Sequence, residues 1–540
     1  MFAALACPSF YPHRPASVVV RETHISWVFL AGERAYKLKK PVVLPFLDYR
    51  TPARRREMCR EEVRLNRRLA PNVYLGVRAV ARGANGFELA AEDDPRAVDY
   101  LVEMRRYDEQ RTLAARLARG ELKRAEVEAV AVALADFHAH ARSITVRAPL
   151  RALERRIAEN FHELLALTEQ RGENARTLEL MHFTHAFLGA HARSLEARAR
   201  RGRVVEGHGD LRAEHVLLDG SGQIVDCVEF DPALRELDVA DDLAFLVMDL
   251  AARGGEQFAQ ALVRAYRGAG GDPGADALIA FYAAHRALVR AKVALLRAKQ
   301  EAPSSAVRGR EHAAARDLVE LAERFAWQAR LPLAIVVCGV PAAGKSTLAQ
   351  ALAAASGLPH LSSDATRKQL VGVDRHQRAP DAGYSPAFSR RTYAELGHRA
   401  AGVIVSHGGV LIDATFRHRA DRDAFADAFA DAAPVLFVEC RAPARVLAER
   451  AARRDRNPAR VSDASVTVVA RERGSFEPLD EVAPEAHLMV RTDRPCDGVV
   501  TELVALLDRR IGWLARIGPV PEPATRGSRP PPRDPRARPR

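Results

Sequence analysis

The stretch "GVPAAGKST", Gly339 to Thr347, decides how the second half of this chain folds. It follows the continuous apolar run "PLAIVVCGV", which has the length of a strand, and it opens into the helical text "GKSTLAQALAAAS". A buried strand, a turn of spacing G-x-x-x-x-G-K-[ST] and a helix start form an anion nest, because backbone N–H groups and the helix N-terminus converge on one phosphate. Gly339 and Gly344 permit close approach, and Val340, Pro341, Ala342, Ala343 and Thr347 complete the cradle. Lys345 neutralises terminal phosphates and Ser346 offers a hydroxyl ligand to magnesium. The pattern therefore predicts an ATP-type nucleotide site with Mg2+.

Working outward, "GGVLIDATF" and "APVLFVEC" are further buried strands separated by helical text. Strands alternating with helices imply a parallel sheet covered on both faces. "VLIDATF" ends its strand in Asp413, where a carboxylate orients magnesium or its water, or else caps a turn. "LSSDATRKQL" sets Asp364 and Arg367 three apart at a helix start, on one face. There Asp364 can take a proton from an acceptor hydroxyl while Arg367 meets its anionic or polar surroundings; the alternative is an N-capping Asp beside a solvated Arg. "ERAARRDRNPARVSD" concentrates Arg450, Arg453, Arg454, Arg456 and Arg460, either as a lid over the transferring group, with Arg454 as the nucleotide-contacting member, or as a solvated basic helix.

Through "GVPAAGKST", "SSDATRK" and "VLIDATF", the text from about Leu331 to Leu507 resembles the P-loop kinase group that includes polynucleotide kinases and zeta-toxin-like sugar-nucleotide kinases. That resemblance implies Asp364 as base and Arg367 as acceptor-binding residue.

Upstream, the text to about Tyr107 alternates β-like runs around one charged helical segment, "RTPARRREMCREEVRLNRRLA". From Leu122 to about Ala326 it is mostly helical, so a small β-rich lobe precedes a larger helical one, the layout of a two-lobed kinase. "AYKLKK" puts Lys37 on a strand after a Gly-containing turn, where such folds place the lysine that pairs nucleotide phosphates; Lys39 shares its face. Glu62, or Glu61, in "CREEVRLN" is the expected helix partner. "EGHGDLRAEHVLLDG" carries most of a phosphotransfer loop, H-x-D-x-x-x-x-N, with Asp210 as candidate base and His215 in the place of the magnesium-binding Asn. "QIVDCVEFDP" follows as a strand ending in acids, with Glu229 the first candidate for the metal carboxylate and Asp226 and Asp231 as alternatives.

These features, with "ELDVADDLAFL", resemble the aminoglycoside phosphotransferase family across roughly Glu22 to Leu250. The order of the two halves, with "ETHISWVFL", "FLDYRT" and "GHGDLRAEHV", resembles bacterial bifunctional aminoglycoside phosphotransferase/ATP-binding proteins. The expected fold is an α+β two-lobed protein-kinase-like domain (residues 1–327), then an α/β P-loop domain with a parallel sheet (328–517), then a disordered Pro/Arg tail (518–540). The expected activity is ATP-dependent phosphotransfer to a small hydroxyl-bearing acceptor; the other class is a nucleotide-gated binding or regulatory protein with a degenerate kinase-like half.

Composition narrows the rest. An apolar fraction of 48% with 28% charged residues suits a globular protein, and no apolar run reaches the roughly 18 residues of a membrane helix. The N-terminus lacks a basic region ahead of its short apolar run, so the cytoplasm is the expected compartment. The 6 cysteines include no C-x-x-C pair, which points away from zinc and redox couples. The net charge of +13 is carried by arginines interleaved with acids, so specific nucleic-acid binding is not expected.

Overall fold

The computed structural model describes residues 1–23, 25–44, 47–84, 86–168, 171–218, 222–302, 304–374, 376–455 and 474–517. The expected tail at 518–540 and the lid arginines Arg456 and Arg460 lie outside the described residues, as does the side chain of Arg454.

The first lobe is built on strands β1 (Val18–Glu22), β2 (Ser26–Ala31), β3 (Arg34–Lys39), β4 (Val43–Leu44), β5 (Leu47–Asp48), β6 (Tyr74–Gly83), β7 (Gly86–Ala91) and β8 (Ala97–Arg105). Six of them pair antiparallel in the order β1-β2-β3-β8-β6-β7. The period-two alternation of β3 sends Tyr36 and Leu38 into a cluster with Phe29 and Tyr11. Ala35 turns the other way, against Cys59 and Val63 of helix Pro52–Asn66, and Lys37 and Lys39 share its face. That helix starts where Thr51 accepts a hydrogen bond from Arg54 N and Pro52 occupies the first turn. A buried fork of Arg55 on Asp99, both bonds 2.8 Å, ties it to β8.

The second lobe is helical. Helices Arg124–His140, Pro149–Leu167, Arg171–Arg200, Val239–Ala252 and Asp276–Gln300 enclose one large apolar core. The small ladder β9 (Val204–Glu206) with β10 (Glu236–Asp238) brackets the "GHGDLRAEHV" loop at its edge.

Strands β11 (Leu333–Cys338), β12 (His360–Ser362), β13 (Gly409–Asp413), β14 (Val435–Arg441) and β15 (His487–Arg491) form a parallel sheet in the order β12-β13-β11-β14-β15. Leu333, Ile335 and Val337 enter one core, while Ala334, Val336 and Cys338 enter the other. A central strand covered on both faces must be apolar throughout, which explains the unbroken "LAIVVC". The edge strand β15 alternates buried and exposed residues, and its weak pattern escaped the sequence reading.

Helix Cys496–Ile517 leaves this sheet and lies against helix Arg171–Arg200, and its Ile511 joins the core of the helical lobe. Arg330 and Asp508 meet at 2.7 Å in the same contact, both buried. Burial pushes the Asp508 carboxyl up and the Arg330 guanidinium down despite their mutual attraction. Desolvation thus offsets much of what this pair contributes, and packing carries the contact. No helix of the described residues is long and apolar enough to cross a membrane.

Candidate functional site

In the second half, the loop between β11 and helix Lys345–Ser356 curls around its own lysine: Lys345 Nζ donates to the Val340 carbonyl at 3.0 Å. Gly339 has φ 129°, and a Cβ there would sit 2.7 Å from the Cys440 carbonyl oxygen, so only glycine lets the loop pass β14. The Ser346 hydroxyl favours the ionised form of Asp413. Asp413 ends β13 in register with Val337 and Ser362, and the Ser362 hydroxyl donates to it at 3.1 Å. His360 Nε2 lies 3.3 Å from its other oxygen. Burial alone would raise the Asp413 carboxyl, but His360, the Ser346 hydroxyl and the Lys345 charge outweigh it and hold the group below its usual range. An ionised carboxylate beside a hydroxyl is the oxygen donor set magnesium takes when phosphates supply the rest.

Asp364 lies half-buried in the first turn of helix Ser363–Val371, two residues past the Ser362 that touches Asp413. Arg367, on the same face, is buried: its Nη1 donates to the Gly383 carbonyl and to Ser389 Oγ, and its plane lies 5.0 Å over the Tyr384 ring. It is engaged in holding the segment Asp381–Tyr384. A cavity of about 290 Å3 opens beside the loop, lined by Gly344, Thr347, Leu348, Arg450, Thr492 and Cys496. Thr492 Oγ1 donates to the Ala343 carbonyl at 2.6 Å, and Arg450 Nη2 donates to the Thr492 carbonyl at 2.5 Å. Thr492 and Cys496 escaped the sequence reading because they follow the edge strand, with no spacing tying them to the loop.

In the first half, both candidate lysines are used. Lys37 Nζ reaches Glu62 at 2.8 Å and Asp226 at 2.9 Å; Lys39 Nζ reaches Glu62 at 2.7 Å and pairs with Glu229. Glu61 points elsewhere, to Arg64 and Arg235. Glu229 is fully committed in the interior, since Tyr49 also donates to it at 2.9 Å. What faces His215 is Asp226, with Oδ2 3.9 Å from Nε2. Lys37 above all, against the opposing effect of burial, holds the Asp226 carboxyl well below its usual range. The expected pairing of His215 with Glu229 as metal ligands is therefore not assembled: Asp226, not Glu229, stands opposite the imidazole.

Asp210 is partly exposed and accepts a fork from Arg212, at 3.0 Å from Nε and 2.9 Å from Nη2. Burial works to raise its carboxyl, and Arg212 above all overcomes that and leaves it lowered. Behind it, Asp242 accepts the N–H groups of His208 at 2.7 Å and Gly209 at 3.0 Å. His138 bridges Asp242, at 3.1 Å, to the Tyr266 hydroxyl, at 2.8 Å. Gly209 has φ 87° and a Cβ there would meet the Leu234 carbonyl oxygen at 2.8 Å, so the turn admits no side chain. The sequence showed Asp242 in an Asp-rich helix start, but its use in pinning the loop backbone depends on a contact between distant segments.

His208 is fully buried, and burial pulls its imidazole down to about 4; His285, also buried, is lowered for the same reason. Below its ordinary value of 6.5 such a histidine is protonated in the unfolded chain before the folded one, so stability falls as pH drops from neutrality towards 4. For His208 alone the loss between pH 7 and pH 5 is roughly 2 kcal/mol. The unfolding midpoint of the first half is expected to drop over this interval, and His208→Gln should flatten the drop; a pH-independent midpoint contradicts the assignment.

Two family models match. The phosphotransferase enzyme family covers residues 30–279, and an AAA domain covers residues 335–479. Uncharacterized proteins of Mycobacterium tuberculosis and Mycobacterium bovis are each 34% identical over 465 residues, covering 84% of this chain and 90% of theirs. Among solved structures, a gluconokinase from Sinorhizobium meliloti is 26% identical over 35% of this chain and 98% of that one, with a TM-score of 0.25. A choline/ethanolamine kinase family protein from Mesorhizobium loti is 17% identical over 61% and 98%, with a TM-score of 0.38. A phosphotransferase-family half followed by a P-loop half, matched along most of its length by these mycobacterial proteins, places the chain in the bifunctional aminoglycoside phosphotransferase/ATP-binding protein family, and it is a kinase.

Proposed function

We propose that the P-loop half transfers the γ-phosphoryl group of ATP to a hydroxyl of a small acceptor, with Asp364 as the base. The observation that carries this reading is the Ser362 hydroxyl donating to Asp413 at the strand end, beside the loop that folds around Lys345 and two residues before Asp364. Magnesium, held by Ser346 and Asp413, would spread the charge of the phosphates. The loop N–H groups from Gly339 to Thr347 and Lys345 hold the phosphate chain, and the nucleoside lies in the cavity bounded by Leu348, Arg450 and Thr492. As the acceptor oxygen bonds phosphorus and the bond to ADP breaks, Asp364 receives the hydroxyl proton. Arg367 acts as a positioning residue that fixes the segment over the acceptor, since its Nη1 is engaged by Gly383 and Ser389. Arg454 would close with Arg450 and Arg453, two of the three arginines lining the cavity.

In the first half, Lys37 with Glu62 would meet nucleotide phosphates and Asp210 would serve the acceptor. Magnesium does not fit there. Glu229 is taken by Lys39 and Tyr49, Asp226 by Lys37, and His215 offers nitrogen where magnesium prefers oxygen. This favours a binding or regulatory role as a second reading for that half.

The test is ADP formation by the full chain with a panel of sugars, nucleosides and aminoglycosides, with products identified by mass spectrometry. A phosphorylated product lost on Asp364→Ala supports the reading. A product lost only on Asp210→Ala moves the chemistry to the first half. ATP hydrolysis that ignores every acceptor and survives Asp364→Ala sinks it.

A further inference from the structure

We propose that the groove between helix Pro52–Asn66 and residues 229–235 is a binding site for a small organic phosphate. Its phosphate sits on Arg56 and Arg60, and its apolar or aromatic body lies against Phe230 and Pro232. Neither the P-loop nor Asp210 lines this groove, so the proposal does not depend on which half transfers phosphate.

The groove has a volume of about 610 Å3, within the roughly 300–1,000 Å3 of small-molecule sites. One wall is the helix. Arg56, Arg60 and Arg64 recur every fourth residue and share its outward face, while Glu62 turns inward to Lys37 and Lys39. The facing wall is Phe230, Pro232 and Arg235. An occupant therefore ties the helix of the first lobe to a segment of the second. Those two elements carry Glu62 and Glu229, the two carboxylates that hold Lys39.

The acids of the groove are spent. Glu57 takes Arg54 at 2.9 Å, Glu61 takes Arg64 at 2.7 Å and Arg235 at 2.8 Å, and Glu229 is held by Lys39 and Tyr49. Arg56 and Arg60 have one acid between them: both Nε groups donate to the same oxygen of Glu92, Arg56 at 2.9 Å. Two guanidinium groups on one carboxylate leave one positive charge without a counter-charge. Among the described residues, the Nη1 and Nη2 groups of Arg56 and Arg60 make no hydrogen bond, so the outer edges of both remain to donate. Arg56 is also held by its plane, 5.1 Å over the Tyr100 ring, so binding there orders it little further.

Arg235 adds to this from the facing wall. It is buried, its Nη2 donates to Glu61, and its Nη1 meets the Val228 and Glu229 carbonyls at 3.3 Å. Its Nε makes no hydrogen bond, with Glu206 Oε1 3.5 Å away. A buried donor without an acceptor is costly, and an anion in the groove offsets that cost. One guanidinium edge satisfies a carboxylate, whereas the three terminal oxygens of a phosphate ester can take two such edges at once. Phe230 and Pro232 supply an apolar surface that inorganic phosphate leaves uncovered and an organic body covers.

The experiment follows the methyl group of Met58, which lines the groove, by NMR of the full chain labelled at its methionine methyls, with the signal assigned by Met58→Leu. Phenyl phosphate is the probe, with benzoate and inorganic phosphate in parallel. The expected result is a saturable Met58 shift with phenyl phosphate and weaker binding of the other two. Arg60→Gln should lower the affinity about tenfold or more, as for one lost charge-assisted contact. Ala53→Phe, which fills the groove from the first turn of the helix without removing a charge, should abolish the shift. Amide exchange along Pro52–Asn66 should slow when the probe is bound. No saturable shift at millimolar phenyl phosphate, benzoate or inorganic phosphate binding as tightly, or unaltered exchange in the helix overturns the proposal. So does a shift that survives Ala53→Phe, or an effect of Arg60→Gln below about threefold. Lys345→Ala should leave the titration unchanged; loss of the Met58 shift in that variant would assign the probe to the P-loop and overturn the groove as its site. Unchanged melting temperatures without the probe show that the variants are folded.

Discussion

Lys345→Ala is expected to lower acceptor phosphorylation by the P-loop half roughly 100- to 1000-fold, the range seen when one preorganised charge at a developing oxyanion is removed. On the proposed reading the lysine would neutralise phosphate oxygens at the centre of the loop, where backbone N–H groups supply only partial charges. Its hydrogen bond to the Val340 carbonyl shows the side chain folded into the cradle, so its loss leaves the strand and helix intact. Steady-state ADP release with the acceptor found by the panel, alongside a thermal melt, measures this. Turnover within threefold of the parent protein would mean that the phosphates are held elsewhere.

Asp364→Asn is expected to cost about 100- to 10,000-fold in the same assay, as for a general base at a hydroxyl nucleophile. Asparagine keeps the size and the helix start but cannot take the proton. Nucleotide binding at the P-loop should stay within threefold, because Lys345, Ser346 and Asp413 are untouched. That separation between binding and turnover distinguishes loss of a base from damage to the loop. A parallel fall in nucleotide affinity would instead make Asp364 a structural residue of its helix N-terminus.

The P-loop could be read from the chain because its chemistry is local. Gly339, Gly344, Lys345 and Ser346 lie within one turn of each other, and the apolar strand before them has a length and composition that only a doubly covered strand needs. Asp413 was legible for a related reason, as an acid closing an apolar run. The two-lobed layout also followed from local periodicity. Arg367 illustrates the limit: its spacing to Asp364 was visible, but its commitment to Gly383 and Ser389 depends on a segment whose path no helical period dictates.

By itself, the sequence determined the order of the two halves, the strand, loop and helix that bind phosphate, and the loop carrying Asp210. Each of these is a short-range pattern of backbone freedom, charge and apolar spacing. Only the tertiary structure decided that Lys37 and Lys39 share Glu62, and that Asp226 rather than Glu229 stands opposite His215. It alone decided that Arg212 forks onto Asp210. Residues 37, 62 and 226 come from a strand and a helix of the first lobe and a loop of the second. Their charges meet because two apolar cores and a twisted sheet bring them within a few ångströms, where burial makes each pairing decisive.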